Sequence, residues 1–291
     1  PLRYSGVSWS DQGFALVNER WTSSRQTRTY RVDLESGSTS VLWDRSYEDR
    51  YGDPGSPMSE VKEGRRLLAT ANNGRDLYLT GAGYSPEGNR PFLRKMNLRS
   101  GDTEEIFRSK APYYESVLGW VNREEGSYIT SRESKSEPPN YYLRHIGSSE
   151  MAAVTSFDHP YPQMDGISKE MITYEREDGV PLSATLYLPA GYDKATDPRE
   201  FKSMAAAGQV TSSPHRFKRV SYSGAIPYVT QGYAILDNAA MPIVGEGDKQ
   251  PNDSFVEQLV TSAKAAIQAG VERGVVDPDR VAIAGHSYGA F

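Results

Sequence analysis

The chain has 291 residues, of which 37% are hydrophobic, 11% aromatic and 24% charged, with a formal net charge of −5. That is enough apolar material for about two cores, and it excludes both a mainly disordered chain and a basic footprint for nucleic acid or anionic membrane. The absence of cysteine removes disulfide frameworks, thiol catalysis and Cys-zinc sites, and no apolar run approaches the roughly 18–20 residues that span a bilayer.

The chain opens on Pro1-Leu2-Arg3-Tyr4, which has neither the basic nor the apolar region of a signal peptide. It closes on Ala290-Phe291, the expected first turn of a helix. Both ends are abrupt, so the chain is expected to be incomplete.

Residues 1–157 read as repeated β modules. Phe14-Ala15-Leu16-Val17, Thr29-Tyr30-Arg31-Val32 and Ser40-Val41-Leu42-Trp43 are strand-like and separated by turn signals. Val32-Asp33-Leu34-Glu35-Ser36-Gly37 is echoed by Met96-Asn97-Leu98-Arg99-Ser100-Gly101 and more loosely by Arg144-His145-Ile146-Gly147-Ser148-Ser149. A second echo pairs Ser8-Trp9-Ser10 and Gly13–Val17 with Gly119-Trp120-Val121 and Gly126–Thr130. Short-strand repeats at roughly 40–65 residues fit propeller blades, with an ordinary β-sandwich as the competing reading. About three blades are visible, whereas a closed propeller takes about four to eight, so more blade sequence is expected before Pro1.

The Pro-rich His159-Pro160-Tyr161-Pro162 marks a linker, assigned to 158–168. From there the pattern is α/β, over 169–291. Glu170–Glu175 and Ser183–Leu188 are strands joined at Glu177-Asp178-Gly179, and Gly232–Asp237 is an apolar, central strand. A helix follows, capped by Asn252 or Asp253, with Phe255, Val256, Leu259, Val260, Ala263, Ala266 and Ile267 at helical spacing and Gly270 or Gly274 at its end. Val276–Arg280 is a turn, and Val281–Ala284 is a short buried strand running into Gly285.

Gly285-His286-Ser287-Tyr288-Gly289 has the Gly-x-Ser-x-Gly pattern of a nucleophile elbow. The strand before it supplies the context such a turn needs, and neither Walker nor GxGxxG spacing fits instead. Ser287 is therefore the candidate nucleophile, and the backbone N–H of Tyr288 is the oxyanion donor by position. A serine hydroxyl also needs an imidazole base and an orienting carboxylate, and in this fold both follow the serine in the chain. They are expected beyond Phe291. His145, His159, His215 and His286 read as structural or surface residues. Asp237, Glu246, Asp248 and Asp253 read either as a metal or substrate-amine site or as a solvated loop with helix-cap charges. No metal or other cofactor is expected.

These residues resemble the prolyl oligopeptidase family, and within it the glutamyl endopeptidase-like subgroup of plastids and bacteria. The resemblance rests on Gly285–Phe291, Pro242–Asp248, Asn252–Leu259, Asp53–Met58, Pro86–Leu93, Glu137–Arg144 and Asp178–Pro189. It implies an N-terminal β-propeller followed by an α/β-hydrolase peptidase domain, truncated after the elbow, that cleaves peptides after Glu through an acyl-enzyme. The resemblance also leads to two expected departures. Ala195-Thr196-Asp197-Pro198 should replace a central strand and an aromatic-rich loop that carries a second oxyanion donor, and the triad Asp and His should be absent. A Glu-specific pocket would want a forked cation; Arg199, Lys202, Arg216 and Lys218 are candidates, with Arg199 and Lys202 foremost.

The competing functions are another acyl hydrolase, such as an esterase or exopeptidase, and a non-catalytic propeller with a relic hydrolase domain. The expected partner is a peptide substrate, with neither nucleic acid nor membrane; the oligomeric state is not legible. A periplasmic or secreted bacterial location is expected ahead of a cytoplasmic or plastid one.

Overall fold

The computed structural model describes residues 2–192, 199–206, 210, 212–221, 224–245 and 251–285. The chain divides into two units: Pro1–Tyr84, Asn89–Glu133 and Pro139–Phe157 form the first, and Ser85–Gly88, Ser134–Pro138 and Asp158–Phe291 the second.

The first unit is antiparallel β throughout. Strands β1 (Arg3–Trp9), β2 (Phe14–Trp21), β3 (Gln26–Asp33) and β4 (Thr39–Ser46) form one sheet in chain order. Next come β5 (Ser56–Pro57), β6 (Ser59–Lys62), β7 (Arg65–Leu68), β8 (Thr70–Ala71), β9 (Asp76–Gly81), β10 (Phe92–Asn97) and β11 (Thr103–Arg108). Their sheet runs β11-β10-β9-β5 with β8 also on β9, and β6-β7 is a separate hairpin. A third sheet holds β12 (Tyr114–Asn122), β13 (Ser127–Glu133), β14 (Asn140–His145) and β15 (Met151–Ala153), again in chain order.

Side chains alternate across a strand, so one sheet can bury both faces. The middle sheet does. Its Leu77, Leu79, Phe92 and Met96 pack on Phe14 and Leu16 of the first sheet. Its Tyr78 and Leu93 pack on Tyr128 of the third, with Val117 and Trp120 alongside. The three sheets thus stack face to face.

The repeat read from the sequence recurs as one turn. Asp33 Oδ1 accepts the N–H groups of Glu35 and Ser36, and Gly37 N–H donates to Asp33 O at 2.9 Å. Asn97 Oδ1 accepts those of Arg99 and Ser100, and Gly101 N–H donates to Asn97 O at 2.9 Å. The glycines take positive φ, 70° and 78°, where a Cβ would be strained. The residue after each turn's first position ties back to the start of the preceding strand: Leu34 to Gly13, Leu98 to Arg75 and Ile146 to Gly126, each N···O 2.9 Å. The third echo thus shares the tie although its turn residues differ.

The second unit is a mixed sheet: β16 (Ser168–Glu175), β17 (Pro181–Leu188), β18 (Arg199–Ala206), β19 (Ala234–Ala240) and β20 (Val276–Ala284), in the order β16-β17-β19-β18-β20. β17 lies antiparallel to β16 and β19, whereas β19, β18 and β20 are parallel. Parallel crossovers are right-handed, so reversing direction along the sheet puts successive connections on opposite faces. The helices obey this. α1 (Ile226–Val229), between β18 and β19, packs with Tyr187 and Ile235. α2 (Phe255–Glu272), between β19 and β20, packs its Ala266 with the adjacent-residue partners Leu186 and Leu236.

Four sequence expectations are corrected here. A strand does occupy the central place thought lost, because β18 pairs with β19 on one side and β20 on the other. Arg199-Glu200-Phe201-Lys202 does not read as a buried strand, but a ladder asks only for backbone donors and acceptors. The turn at Val276–Arg280 is absorbed into β20, whose pairing jumps from Arg199↔Val276 to Phe201↔Val281. The end of β20 is not buried, since Ile283 is 58% exposed and, among the described residues, β20 pairs only with β18. Finally, Ser254 rather than Asn252 or Asp253 stands at the N-cap of α2, without a side-chain cap hydrogen bond, after a 3-10 turn at Pro251–Ser254, and Val256 and Val260 are exposed while Ser262, Ala266, Ala269 and Gly270 are buried. Small residues let the helix lie close to the sheet. Its end is a Schellman closure, Val275 N–H to Gly270 O and Gly274 N–H to Val271 O.

Candidate active site

The parallel register brings the carboxyl ends of β18, β19 and β20 to one edge of the sheet, and β16, antiparallel to β17, ends there too. Open α/β sheets bind ligands at that edge. Gly285 follows β20 there. Ser287, Tyr288 and His286 lie outside the described residues, as do Glu246 and Asp248.

What is described at this edge is a cavity of about 560 Å³, lined by Arg176 after β16, Val244 and Gly245 after β19, and the first turns of α2. Arg176 is its anchor and is only 3% exposed. Its guanidinium forks onto Asp178, Nε to Oδ1 at 2.8 Å and Nη2 to Oδ2 at 2.7 Å. Nη1 donates to Pro242 O and to Ser262 Oγ, each at 3.2 Å. The hydrogen bond from Arg176 holds the Asp178 carboxyl below the usual carboxylate range. Nearby, burial pushes the Tyr174 phenol up, and its hydroxyl has no hydrogen-bond partner among the described residues.

Gln258 completes the arrangement. Its Oε1 accepts Arg176 Nη2 at 3.3 Å and the Val244 N–H at 2.8 Å, while its Nε2 donates to Val244 O at 2.9 Å and to Ser254 Oγ at 2.8 Å. A buried cation and an amide therefore fix the segment after β19 to the hairpin and to α2. Sequence reasoning missed both residues. Asn252–Leu259 carried a resemblance but no role, and nothing in the sequence marks Arg176, which lies just before the Glu177-Asp178-Gly179 turn.

The other candidates are dispersed. Arg199 and Lys202 stand within β18, not in a loop, and Arg199 opens it opposite Val276, at the end remote from Gly285. Lys218 is 4% exposed, and its ammonium donates to the carbonyls of Met164, Asp165 and Ile167 at 3.0–3.1 Å, so it is a structural clamp. Arg216 gives its carbonyl to Lys169 Nζ at 2.8 Å.

His159 Nδ1 accepts the Tyr161 N–H, its ring meets Phe217 edge-on, and Nε2 is 3.1 Å from Asp165 Oδ1. Burial, then Lys135 and Lys169, hold the His215 imidazole below its ordinary range. His145 ends β14, exposed. Asp237 is not in a solvated loop: it lies in β19 opposite Thr185, and burial raises its carboxyl despite the Asn238 N–H and Lys169. Asp253 is exposed in the 3-10 turn before α2. Among the described residues no group of three or more His, Asp or Glu gathers as a metal site would require.

No protein-family model matches the chain. A curated rice protein (Oryza sativa subsp. japonica), named probable glutamyl endopeptidase, chloroplastic, is 44% identical over 315 aligned residues, covering 100% of this chain and 34% of its own length. Its Arabidopsis thaliana namesake is 43% identical over 316, covering 100% and 33%. The family-level resemblance holds from end to end. The chain spans about a third of the length of the curated relatives it matches. Among solved structures, Porphyromonas gingivalis dipeptidyl peptidase 4 aligns with a TM-score of 0.57 at 15% identity, over 97% of this chain and 45% of that one, which speaks to the fold alone. The expectation of a periplasmic or secreted bacterial location is corrected: both curated relatives are named chloroplastic, which points toward a plastid.

Proposed function

We propose that this chain carries the nucleophile of a serine peptidase of the prolyl oligopeptidase family, with Ser287 attacking the scissile carbonyl and a preference for Glu before the cleaved bond. The observation that carries the reading is β20. It lies parallel beside β18 and leads into Gly285 at the carboxyl edge that β19 and β16 also reach. A strand that runs out at this edge into Gly-x-Ser-x-Gly is the setting a nucleophile elbow requires. The Glu preference draws on the name of the 44%-identical relative.

On this reading the five strands of the second unit begin an α/β-hydrolase sheet. The three stacked sheets of the first are blades of a β-propeller. Their outer faces support further blades, since Trp9 and Val41 on one and Val121 on the other are 50–60% exposed.

The chemistry follows. The Ser287 hydroxyl gives its proton to an imidazole as Oγ bonds to the carbonyl carbon, and the Tyr288 N–H donates to the oxyanion. The peptide C–N bond then breaks, the amine leaves with that proton, and water hydrolyses the acyl-enzyme. The chemistry asks for an imidazole base held by an orienting carboxylate. Arg176 and Gln258 shape the floor of the same edge by fixing Val244. The test is cleavage by the full-length protein of matched peptides with Glu, Asp, Gln, Pro, Lys or Ala before the bond. Cleavage after Glu in preference to Gln is expected; equal rates across the panel would remove the Glu assignment.

A further inference from the structure

The first unit holds a cluster of cations that hydrolysis at Ser287 does not use. A cavity of about 340 Å³ lies between β11 and the face of β12–β14 that meets the middle sheet. Its charged lining is Arg108, Lys110, Arg132 and Arg144 against one carboxylate, Glu115. Register explains the crowding. Glu115 pairs with Arg132, and Tyr128 with Arg144, so these side chains project from one face.

Glu115 is already saturated. Arg144 forks onto it, Nε to Oε1 at 2.6 Å and Nη2 to Oε2 at 2.9 Å, and Thr130 Oγ1 donates to Oε1 at 2.6 Å. Arg108 is taken by Glu105 at 2.6 Å. Arg132 shares Glu115 only as a longer ion pair, without a hydrogen bond to it. Its Nε stands 3.8 Å from Glu115 Oε2, outside hydrogen-bond reach, although its side chain is only 16% exposed. Among the described residues its guanidinium makes no hydrogen bond; it lies over the Tyr113 ring, 3.3 Å from the centroid. Lys110 stands at the rim, exposed and without an ion pair among the described residues.

A guanidinium withdrawn from water with its N–H groups unbonded calls for a closer anionic acceptor than Glu115 provides. Stacking on Tyr113 fixes its plane and leaves its N–H edge for a forked contact. The space suits one acidic side chain with its adjoining backbone, and Phe107, Tyr113 and Tyr128 offer apolar surface to its methylenes. Ser148 and Ser149 add hydroxyls. We propose that this cavity is a second binding site, independent of Ser287, that takes the carboxylate of an acidic peptide side chain between Arg132 and Lys110.

Binding is read on full-length protein carrying Ser287→Ala, so that no peptide is consumed and the result does not depend on the hydrolytic reading. Fluorescence anisotropy compares a labelled Glu-rich peptide with its Gln counterpart. The Glu peptide should bind about tenfold tighter, and Arg132→Gln and Lys110→Ala should each weaken it several-fold, roughly three to ten. Lys110 is exposed, so its variant should melt with the parent and remain readable even if the Arg132 variant does not fold. Equal affinity for the Glu and Gln peptides, no binding of either, or unchanged affinity in Lys110→Ala overturns the proposal. So does competition by inorganic phosphate as strong as by unlabelled Glu peptide, which would make the site one for a free anion.

Discussion

Arg176 and Gln258 meet at 3.3 Å, and through that contact the Val244 backbone is held by both its N–H and its carbonyl. Eighty-two residues separate the pair in the chain. One stands beyond β16 and the other in the first turn of α2, so the contact ties together three elements that end or begin at the carboxyl edge of the sheet. Gln258→Leu removes every polar contact of that amide and leaves both Val244 groups without it. A stability loss of about 1–3 kcal/mol is expected in denaturant titrations. If the edge is catalytic, kcat/KM of the full-length enzyme also falls by roughly tenfold, because the segment after β19 is no longer pinned.

The Tyr174 hydroxyl is buried without a partner among the described residues. Removing it relieves an unpaid desolvation without opening a cavity. Tyr174→Phe should therefore stabilise the protein by about 1 kcal/mol, read as a higher denaturation midpoint at unchanged slope.

Asp237 carries a pH signature. Burial raises its folded-state pKa above the ordinary 3.8. Between that value and the raised one the native state holds more protons than the unfolded state, so stability falls as pH rises through the window and stays lower above it. Asp237→Asn takes the group out of the titration. The variant should match the parent below pH 3.8 and melt a few degrees higher at neutral pH, a gap that opens as the carboxyl ionises.

Among the described residues lining their cavity, Glu115 is the only carboxylate facing Arg132 and Arg144. Glu115→Gln keeps the shape but leaves two largely buried guanidinium groups without a counter-charge. The expected cost is about 3–5 kcal/mol in equilibrium unfolding. Glu105→Gln, whose carboxylate is half exposed beside Arg108, should cost less than about 1 kcal/mol.

The parts of the fold legible in the sequence are those set by short-range chemistry. Asp33 and Asn97 announce their turns because a side-chain oxygen two residues from its target N–H is a local matter. Gly274 marks the end of α2 for the same reason. β18 was hidden because Arg199, Glu200 and Lys202 do not look like a strand, although its backbone ladder on both sides is indifferent to them. Ser254, not Asn252 or Asp253, holds the N-cap position of α2, and its Oγ accepts from Gln258 Nε2 instead of from a backbone N–H of the first turn. Lys218 read as a specificity candidate because a sequence does not show that three carbonyls surround its ammonium. The Gly-x-Ser-x-Gly spacing is visible in the sequence, and its reading as an elbow rests on the strand that precedes it. The clamp behind its edge is not visible there, since it joins residues brought together only by the sheet order.

Labelling the full-length protein with a fluorophosphonate, and mapping the modified residue by peptide mass spectrometry, asks directly whether Ser287 is the nucleophile. Stoichiometric modification of Ser287 is expected, with both labelling and peptide hydrolysis abolished in Ser287→Ala. Labelling at another residue, or hydrolysis that survives Ser287→Ala, would contradict that role.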